Sequence, residues 1–462
     1  MRSWILVALC ILGCSSNKAG DAKGSAAPAG SGSAAVPVTP KRMTGPAERE
    51  PPDALPALVK PEGPGPAYFV VRGKGVMKLE GGVFRPAFTL PDGQDRYVRL
   101  LAPTVKGTLL TEGVGEIFEI VDGKPRLVVK ASPSMLASGL TPAPDGTLWT
   151  WSISTVNHFD GKAWTSTNSD ELGKNGFVGF AIASDSTVWL AAQKGLYKRD
   201  GATWIPVAIP AMGTALFEDL VATSDGRVVA LTSSGLIEVT AATPELIALP
   251  RGSAYGVKAA AGPERRIALV AFHGETMVYA PPAFATYDAG KDLVGGRDQI
   301  AMDGAGRVWI AGKNGLLVLD ASGTPTHFPP GTLEALSGTI SAIVIEGGGP
   351  TLPAVGEVAR GRVKGVVSTK GGKAIPNAKI ELCASPSIVV RGNETPCSKE
   401  LYQQRTTTNA DGEFVFEGVP IGVWSFAVLR MDKAKWSVTM RDFCSDTKKG
   451  ETCNAPIPLD DR

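Results

Sequence analysis

The sequence predicts an all-β protein: a seven-bladed β-propeller, followed by a small β-sandwich and preceded by a disordered N-terminal tether. The main observation is an Asp-Gly turn leading into a Trp strand, which recurs about every forty residues. Asp145–Trp149 is followed by Asp185–Trp189 and Asp225–Val229. A Gly-Leu pair keeps the same spacing at Gly195 and Gly235. Repeats of this length are typical of solenoids and propellers.

One repeat contains four short strands and no amphipathic run long enough for a helix. Phe177–Ala183 and Val188–Ala192 are apolar, whereas Leu196–Arg199 alternates as a half-exposed strand does. Asp200-Gly201 is a two-residue hairpin signal before the last strand at Thr203. Four antiparallel strands in about forty residues form one propeller blade.

Equivalent turns predict seven blades in residues 66–356. They lie near Pro66, Lys106, Asp145, Asp185, Asp225, Glu264 and Asp303. The first unit, from Ala67, lacks an inner strand, whereas Thr339–Ile345 is an inner strand without a blade of its own. Pairing these two segments would close the ring and leave no exposed sheet edge.

Two of the repeats carry a family resemblance. Ile300–Leu316, and nearly as well Ala183–Gly195, resembles the two-component-regulator propeller repeat. In that family such repeats form the periplasmic sensor of hybrid kinases. No kinase segment or transmembrane helix follows the propeller in this sequence, so the resemblance implies a fold and not a signalling role.

The N-terminus, residues 1–13, resembles a bacterial lipoprotein signal peptide. A positive start precedes a short apolar run and the lipobox Ile11–Cys14. The run is too short to span a bilayer. The resemblance implies cleavage before Cys14, lipidation of its thiol and durable attachment to a membrane, with the outer membrane favoured by Ser15. Residues 14–65 are rich in Ala, Gly, Ser and Pro, a composition typical of a flexible to semi-extended linker.

The repeat ends before residues 357–462, which predict a β-sandwich. Strand patterns begin at Gly361 and Ala374, and Asn409–Phe416 reads as a turn and strand. With the bend at Val419-Pro420 and the opening Gly361–Val363, this order resembles the carboxypeptidase-regulatory-like domain, a prealbumin-like accessory module. That resemblance implies no catalytic residues.

Four cysteines remain once Cys10 and Cys14 are assigned to the N-terminal signal. Cys383, Cys397, Cys444 and Cys453 all lie in the C-terminal domain. An even number in an exported domain indicates two disulfides, with Cys383–Cys397 and Cys444–Cys453 expected and the other pairings left open. A zinc site would favour close Cys pairs, which this spacing does not provide.

Little in the sequence indicates catalysis, and we expect no metal, no cofactor and no nucleic-acid partner. The three histidines, His158, His273 and His327, lie in different repeats without metal-ligand spacing. The formal net charge is +2, with basic and acidic residues interspersed. No Gly-rich phosphate loop joins a strand to a helix.

A ligand would most simply bind where the inner strands begin, around one mouth of the central channel. Counting back from each turn gives the candidate rim, with mere capping of the blade interfaces as the alternative. Its members are Tyr97, Arg99, Phe177, Phe217, Glu218, Tyr255, Arg297 and Asp298.

The sequence as a whole predicts a non-catalytic, lipid-anchored binding or scaffold protein of the bacterial cell envelope, with a protein or glycan partner. One alternative is a propeller enzyme, a polysaccharide or macrocycle lyase, with Tyr255 or Arg297 and Glu218 in acid–base roles. Charged groups with perturbed pKa values inside the channel would favour this enzyme. Another alternative is a ligand sensor that works with a separate membrane kinase. Fold analogy does not decide among the three.

Overall fold

A computed structural model describes most of the chain from Leu55 onwards. The described residues are 55, 57–59, 62–104, 108–112, 115–130, 138–173, 176–210, 213–241, 243–250, 256–271, 275–287, 299–312, 315–384, 386–387, 394–398, 400, 402–430, 435–439, 443–444 and 448–459. The signal peptide, Cys14 and most of the linker lie outside these ranges. None of the helices within them has the length and hydropathy needed to cross a membrane.

Seven four-stranded antiparallel sheets account for residues 67–345, so the predicted blade number is confirmed. The first four blades contain β1 (Ala67–Val71), β2 (Gly75–Glu80), β3 (Val83–Pro86), β4 (Leu101–Pro103), β5 (Leu109–Glu112), β6 (Ile117–Val121), β7 (Lys124–Val129), β8 (Gly139–Pro142), β9 (Leu148–Trp151), β10 (Thr155–Phe159), β11 (Trp164–Asn168), β12 (Phe177–Ile182), β13 (Val188–Ala192), β14 (Gly195–Asp200) and β15 (Thr203–Val207). The remaining strands are β16 (Phe217–Ala222), β17 (Val228–Thr232), β18 (Gly235–Glu238), β19 (Leu246–Ala248), β20 (Gly256–Ala261), β21 (Ile267–Ala271), β22 (Thr276–Ala280), β23 (Ala283–Tyr287), β24 (Gln299–Met302), β25 (Val308–Gly312), β26 (Gly315–Leu319), β27 (Pro325–Phe328) and β28 (Ile340–Ile345). Short 3-10 helices span Pro91–Tyr97, Ser169–Leu172, Pro263–Arg265 and Glu334–Leu336.

The ring closes by pairing the two ends of the propeller. β28 adds to β1 in antiparallel register, with Ala67 opposite Ile345, and becomes the inner strand of the first blade. Each inner strand then contacts the next one, in the order β28, β4, β8, β12, β16, β20, β24 and back to β28. The predicted closure by Thr339–Ile345 is therefore confirmed. Since every inner strand has a neighbour on both sides, closure covers the edges that an open row would expose.

The repeated tryptophans pack between blades, as the sequence predicts. Trp149 belongs to an apolar cluster that includes Leu190 of the following blade, and Trp309 packs with Phe69 of the first blade. Trp309 is fully buried, and its indole nitrogen donates to the Asp303 carboxylate at 2.8 Å. In the three blades that carry it, the repeat Trp thus supplies contacts that hold neighbouring sheets together.

The last part of the predicted linker lies against the propeller instead of acting as a free spacer. The Val59 N–H donates to the Glu264 carboxylate at 2.8 Å, and the Glu62 N–H donates to the Gly304 carbonyl at 3.0 Å. Leu55 packs on the apolar cluster between the sixth and seventh blades. Composition did not show this, because an extended segment can be held by its backbone, whatever its side chains.

The C-terminal residues form two stacked sheets, in agreement with the predicted sandwich. Their strands are β29 (Arg360–Thr369), β30 (Lys379–Cys383), β31 (Gln403–Thr407), β32 (Glu413–Pro420), β33 (Ser425–Arg430), β34 (Lys435–Val438), β35 (Thr452–Asn454) and β36 (Ile457–Leu459). One sheet has the order β32-β29-β35, with β36 also paired to β29, and the other has the order β31-β30-β33-β34. Val367, Ile380, Phe414 and Phe426 from both sheets share one core.

Two disulfides join Cys383 to Cys397 and Cys444 to Cys453. These are the two short-loop pairings expected from the sequence. The Asn409 turn is a hairpin turn, because its side-chain oxygen accepts the N–H groups of Asp411 and Glu413. The sandwich contacts the propeller at Gly331, whose carbonyl accepts the Ala359 N–H at 2.8 Å.

Candidate functional site at the entrance mouth

The inner strands all begin at one end of the channel, which we call the entrance mouth. They end near the Asp-Gly turns at the opposite end, which we call the exit mouth. This follows from topology, since each inner strand leads into its blade in the same direction. The entrance mouth comprises the first residues of the seven inner strands and the residues just before them. The repeat pattern does not specify the residue types at these positions, so they can form a binding site without disturbing the packing of the blades.

Three consecutive inner strands each contain a β-bulge at their first residues. The register shifts between Phe177 and Gly179 in β12, between Phe217 and Asp219 in β16, and between Gly256 and Lys258 in β20. A bulge sets two residues opposite one and turns their side chains out of the regular alternation. The residues at the mouth are thus displaced by one from a simple count along the strand.

Phe177 and Phe217 do not lie on an open rim. Each is about 2% exposed. Phe177 packs in the cluster of Trp149, and Phe217 in the cluster of Trp189, so both fill the spaces between blades. The structure therefore supports the capping alternative for these two residues. The reason is that a large apolar ring at the start of a bulged strand gains more from the interblade core than from water.

Tyr97 and Arg99 do lie at the entrance mouth and are exposed. They lead into β4, where the Arg99 carbonyl accepts a hydrogen bond from the Ser341 hydroxyl of β28 at 2.9 Å. Tyr255, Arg297 and Asp298, the other predicted rim residues, lie outside the described residues.

Asp219 is a charged residue of the mouth that the sequence analysis did not select. One carboxylate oxygen accepts the Leu220 N–H at 2.8 Å, and the other accepts the Ala259 N–H of β20 at 3.2 Å. Desolvation raises the pKa of Asp219 to about 6, against the lowering effect of these two N–H groups and of the Lys258 charge; the neighbouring Glu218 adds to the rise. Asp219 therefore bridges two blades while remaining a titratable group.

Glu218, a predicted rim residue, lies beside Asp219 at the bulge of β16. Its side chain is partly buried, and desolvation raises the pKa of its carboxyl. Among the described residues, no hydrogen-bond donor or cation pairs with it directly. Glu218 and Lys258 both interact electrostatically with Asp219, and we call these three residues, on two adjacent inner strands, the mouth cluster.

We expect the contribution of the Asp219 carboxyl to the stability of the fold to decrease as pH rises from about 4 to about 6. Because its folded pKa is raised above the ordinary value of 3.8, the folded protein holds the proton more strongly than the unfolded chain does. The Asp219→Asn variant has no proton to lose, so its Tm relative to the native protein should increase across this interval. The measurement is Tm against pH for both proteins.

Asp160→Asn is the matched control with the opposite sign. The N–H groups of Ala163 and Lys162 lower the pKa of Asp160, so its ionised form is the favoured one in the fold. Relative to the native protein, this variant should lose Tm as pH rises. If the difference in Tm between Asp219→Asn and the native protein stays constant from pH 4 to 7, a range that includes the raised pKa, the prediction is contradicted.

Asp219 stands one position beyond Glu218, and Lys258 three positions beyond Tyr255, the residues selected by counting back from the turns. The bulge explains the miss, since a count with a fixed offset assumes a regular strand. The only signal available was chemical: two opposite charges in strands that are otherwise small and apolar, Val221–Ala222 and Ala259–Ala261.

No protein-family model and no curated protein matches this chain. Solved structures similar to it include a streptogramin B lyase, at 15% identity over 52% of this chain and 84% of the lyase, with a TM-score of 0.42. Another is YCF48 bound to D1 peptide, at 12% identity over 57% of this chain and 97% of that chain, with a TM-score of 0.42. The extracellular domain of a protein described as the hybrid two component system BT3049 of B. thetaiotaomicron has 12% identity over 90% of this chain and 57% of that chain, with a TM-score of 0.44. These values concern the fold and give no ligand or activity to this chain.

Proposed function

We propose that this protein is an exported, lipid-anchored binding protein of the bacterial cell envelope, whose entrance mouth engages a protein or glycan partner. The observation that carries the proposal is the mouth cluster of Glu218, Asp219 and Lys258. Partly buried charges at the mouth, with the exposed Tyr97 elsewhere on the same mouth, provide the few polar groups that orient a ligand in a rigid site. The anchor rests on the lipobox resemblance at Cys14.

Binding accounts for this cluster better than catalysis does. Both oxygens of the Asp219 carboxylate accept backbone N–H groups, and one of these bonds joins two blades. Such a carboxylate is held in place as a bridge, and it has little freedom to move a proton to or from a substrate. Glu218 is then the one carboxylate of the mouth cluster that a ligand can reach as an acceptor.

A propeller enzyme is the second candidate. The pKa values of Glu218 and Asp219 are raised, and carboxyl groups with raised pKa values are a feature of acid–base active sites. In that case Glu218 would act as the general acid or base. Glu218→Gln separates the two functions. In a binding protein this isosteric change weakens association in proportion to the lost charge, whereas in an enzyme it abolishes turnover while the substrate still binds.

Photo-crosslinking in cells tests the binding function. A photoreactive amino acid replaces Tyr97 at the entrance mouth or, as the matched control, the exposed Ala202 in the hairpin at the other end of a blade. We expect one dominant crosslinked species from position 97, reduced by Glu218→Gln and absent from position 202. Equal labelling at the two positions, or labelling unaffected by Glu218→Gln, would refute a partner site at the mouth. A Cys14→Ala chain should lose membrane attachment.

A further inference from the structure

The outer face of one sandwich sheet carries a groove that the propeller does not contribute to. Ile380 and Leu382 of β30 point into the sandwich core and are fully buried. Since side chains alternate along a strand, Lys379 and Glu381 stand on the opposite face. A cavity of about 510 Å³ opens there, within the range of small-molecule sites.

An ion pair forms the floor of this groove. Glu381 is only 2% exposed, and its carboxylate receives Arg405 Nε at 2.8 Å and the Cys397 N–H at 3.2 Å. The Arg405 guanidinium, more than half exposed, also donates to the Thr395 hydroxyl at 3.1 Å. The buried carboxylate therefore fixes the guanidinium in place, and the exposed guanidinium keeps N–H groups for a ligand.

One wall of the groove is aromatic and the opposite wall is fixed by a disulfide. Trp436 of β34 is partly exposed and lies across from Leu429 in the neighbouring strand β33. On the other side, the Cys383–Cys397 bond holds residues 394–398 against the sheet, which places Thr395 at the rim. The indole, the ion pair and the exposed Lys379 thus surround one space.

We infer that this groove is a saccharide-binding site. A pyranose ring has an apolar face of C–H groups and an edge of vicinal hydroxyls, so it needs an aromatic surface on one side and paired donors and acceptors on the other. Trp436 supplies the first; Arg405, held in place by the buried Glu381, supplies the donors together with Lys379, and the Thr395 hydroxyl supplies an acceptor. A purely apolar ligand would leave the Lys379 and Arg405 donors without partners, which costs free energy. This inference concerns the sandwich and is independent of the partner proposed for the propeller.

Ligand-observed NMR and calorimetry on the full mature chain test the inference, with cellotetraose, chitotetraose and tetragalacturonate as probes. At least one probe should bind with a Kd of about 1 mM or lower, the weak range expected for a shallow site. Trp436→Ala should weaken binding about tenfold or more, because one aromatic anchor carries much of the affinity of such a site. Arg405→Lys should also weaken it, since an ammonium cannot form the planar paired contact.

Two controls keep this test decisive. Lys379→Ala removes an exposed donor of the groove and should weaken binding while the fold is retained; the Tm of this variant and of Trp436→Ala is recorded to show that both remain folded. Tyr97→Ala alters the entrance mouth and should leave saccharide affinity unchanged. Absence of binding for all three probes, undiminished binding by Trp436→Ala, or loss of binding in Tyr97→Ala would overturn the inference. Loss of binding in Tyr97→Ala would place the saccharide at the entrance mouth, whereas the other two outcomes leave the crosslinking test at the mouth unaffected.

Discussion

Asp303→Ala should lower the free energy of unfolding of the propeller by about 3 to 5 kcal/mol, the cost of leaving a buried partner unpaired. Asp303 is about 1% exposed. Its carboxylate accepts hydrogen bonds from the Arg307 side chain at 2.7 Å and the Trp309 indole at 2.8 Å. Removing it leaves a buried N–H and a largely buried guanidinium without their acceptor.

The same change also loosens the closure of the ring. Arg307, oriented by Asp303, donates to the carbonyls of Gly348 at 2.7 Å and Pro350 at 3.0 Å, in the segment that follows β28. Loss of this orientation should therefore speed unfolding of the first blade. Urea denaturation followed by tryptophan fluorescence gives the total effect.

Asp225→Ala is the matched control for Asp303→Ala. Asp225 occupies a repeat turn and pairs with Arg227 at 3.0 Å, but its side chain is 37% exposed. Exposed ion pairs contribute about 1 kcal/mol or less, so this variant should stay close to the native protein. If the two variants lose the same free energy of unfolding, the buried contacts of Asp303 contribute no more than an exposed ion pair.

Replacing Cys383 and Cys397 together by alanine should destabilise the sandwich by about 3 kcal/mol, the value that the chain-entropy account gives for a loop of about 15 residues. The two cysteines are 14 residues apart and fully buried. Without the bond, residues 394–398 regain freedom, and the Cys397 N–H is no longer held at the Glu381 carboxylate. Calorimetry of the native and variant chains measures the shift.

The second disulfide and the propeller serve as internal controls. Cys444→Ala with Cys453→Ala opens a loop with a separation of 9 residues, so its effect should be slightly smaller. The propeller transition should not move in either variant, because all four cysteines lie in the sandwich. An unchanged sandwich transition after complete reduction would contradict the prediction.

The repeat predicted the fold well because its signals are local. Asp200-Gly201 fixes a hairpin and Trp189 marks a buried strand, so both could be recognised without knowledge of distant residues. Phe177 is buried and not on the rim, because its position depends on a bulge formed with β13 and on packing with Trp149 of the preceding blade, which a local pattern does not reveal. Likewise, nothing in the composition of residues 55–65 shows the backbone bonds that hold this segment to the propeller.

The sandwich groove was not predictable for a similar reason. Glu381, Arg405 and Trp436 are separated by tens of residues and follow no motif. They meet only because β31, β30, β33 and β34 are neighbours in that order, with Glu381 opposite Arg405. Strand order in a sandwich is set by the whole domain, so a site that crosses four strands has no local signature.

The closure of the ring by β28 and β1 determines how the molecule would carry mechanical load. The chain enters and leaves the propeller side by side, since the Glu346 N–H donates to the Pro66 carbonyl at 2.9 Å and the Gly65 N–H donates to the Gly349 carbonyl at 3.2 Å. Tension between an N-terminal anchor and a ligand on the sandwich would therefore pass through this one junction and bypass the other six blades. Because β1 and β28 are antiparallel and would be pulled from the same end, their hydrogen bonds would break one after another, so the first blade would open while the remaining blades stay folded.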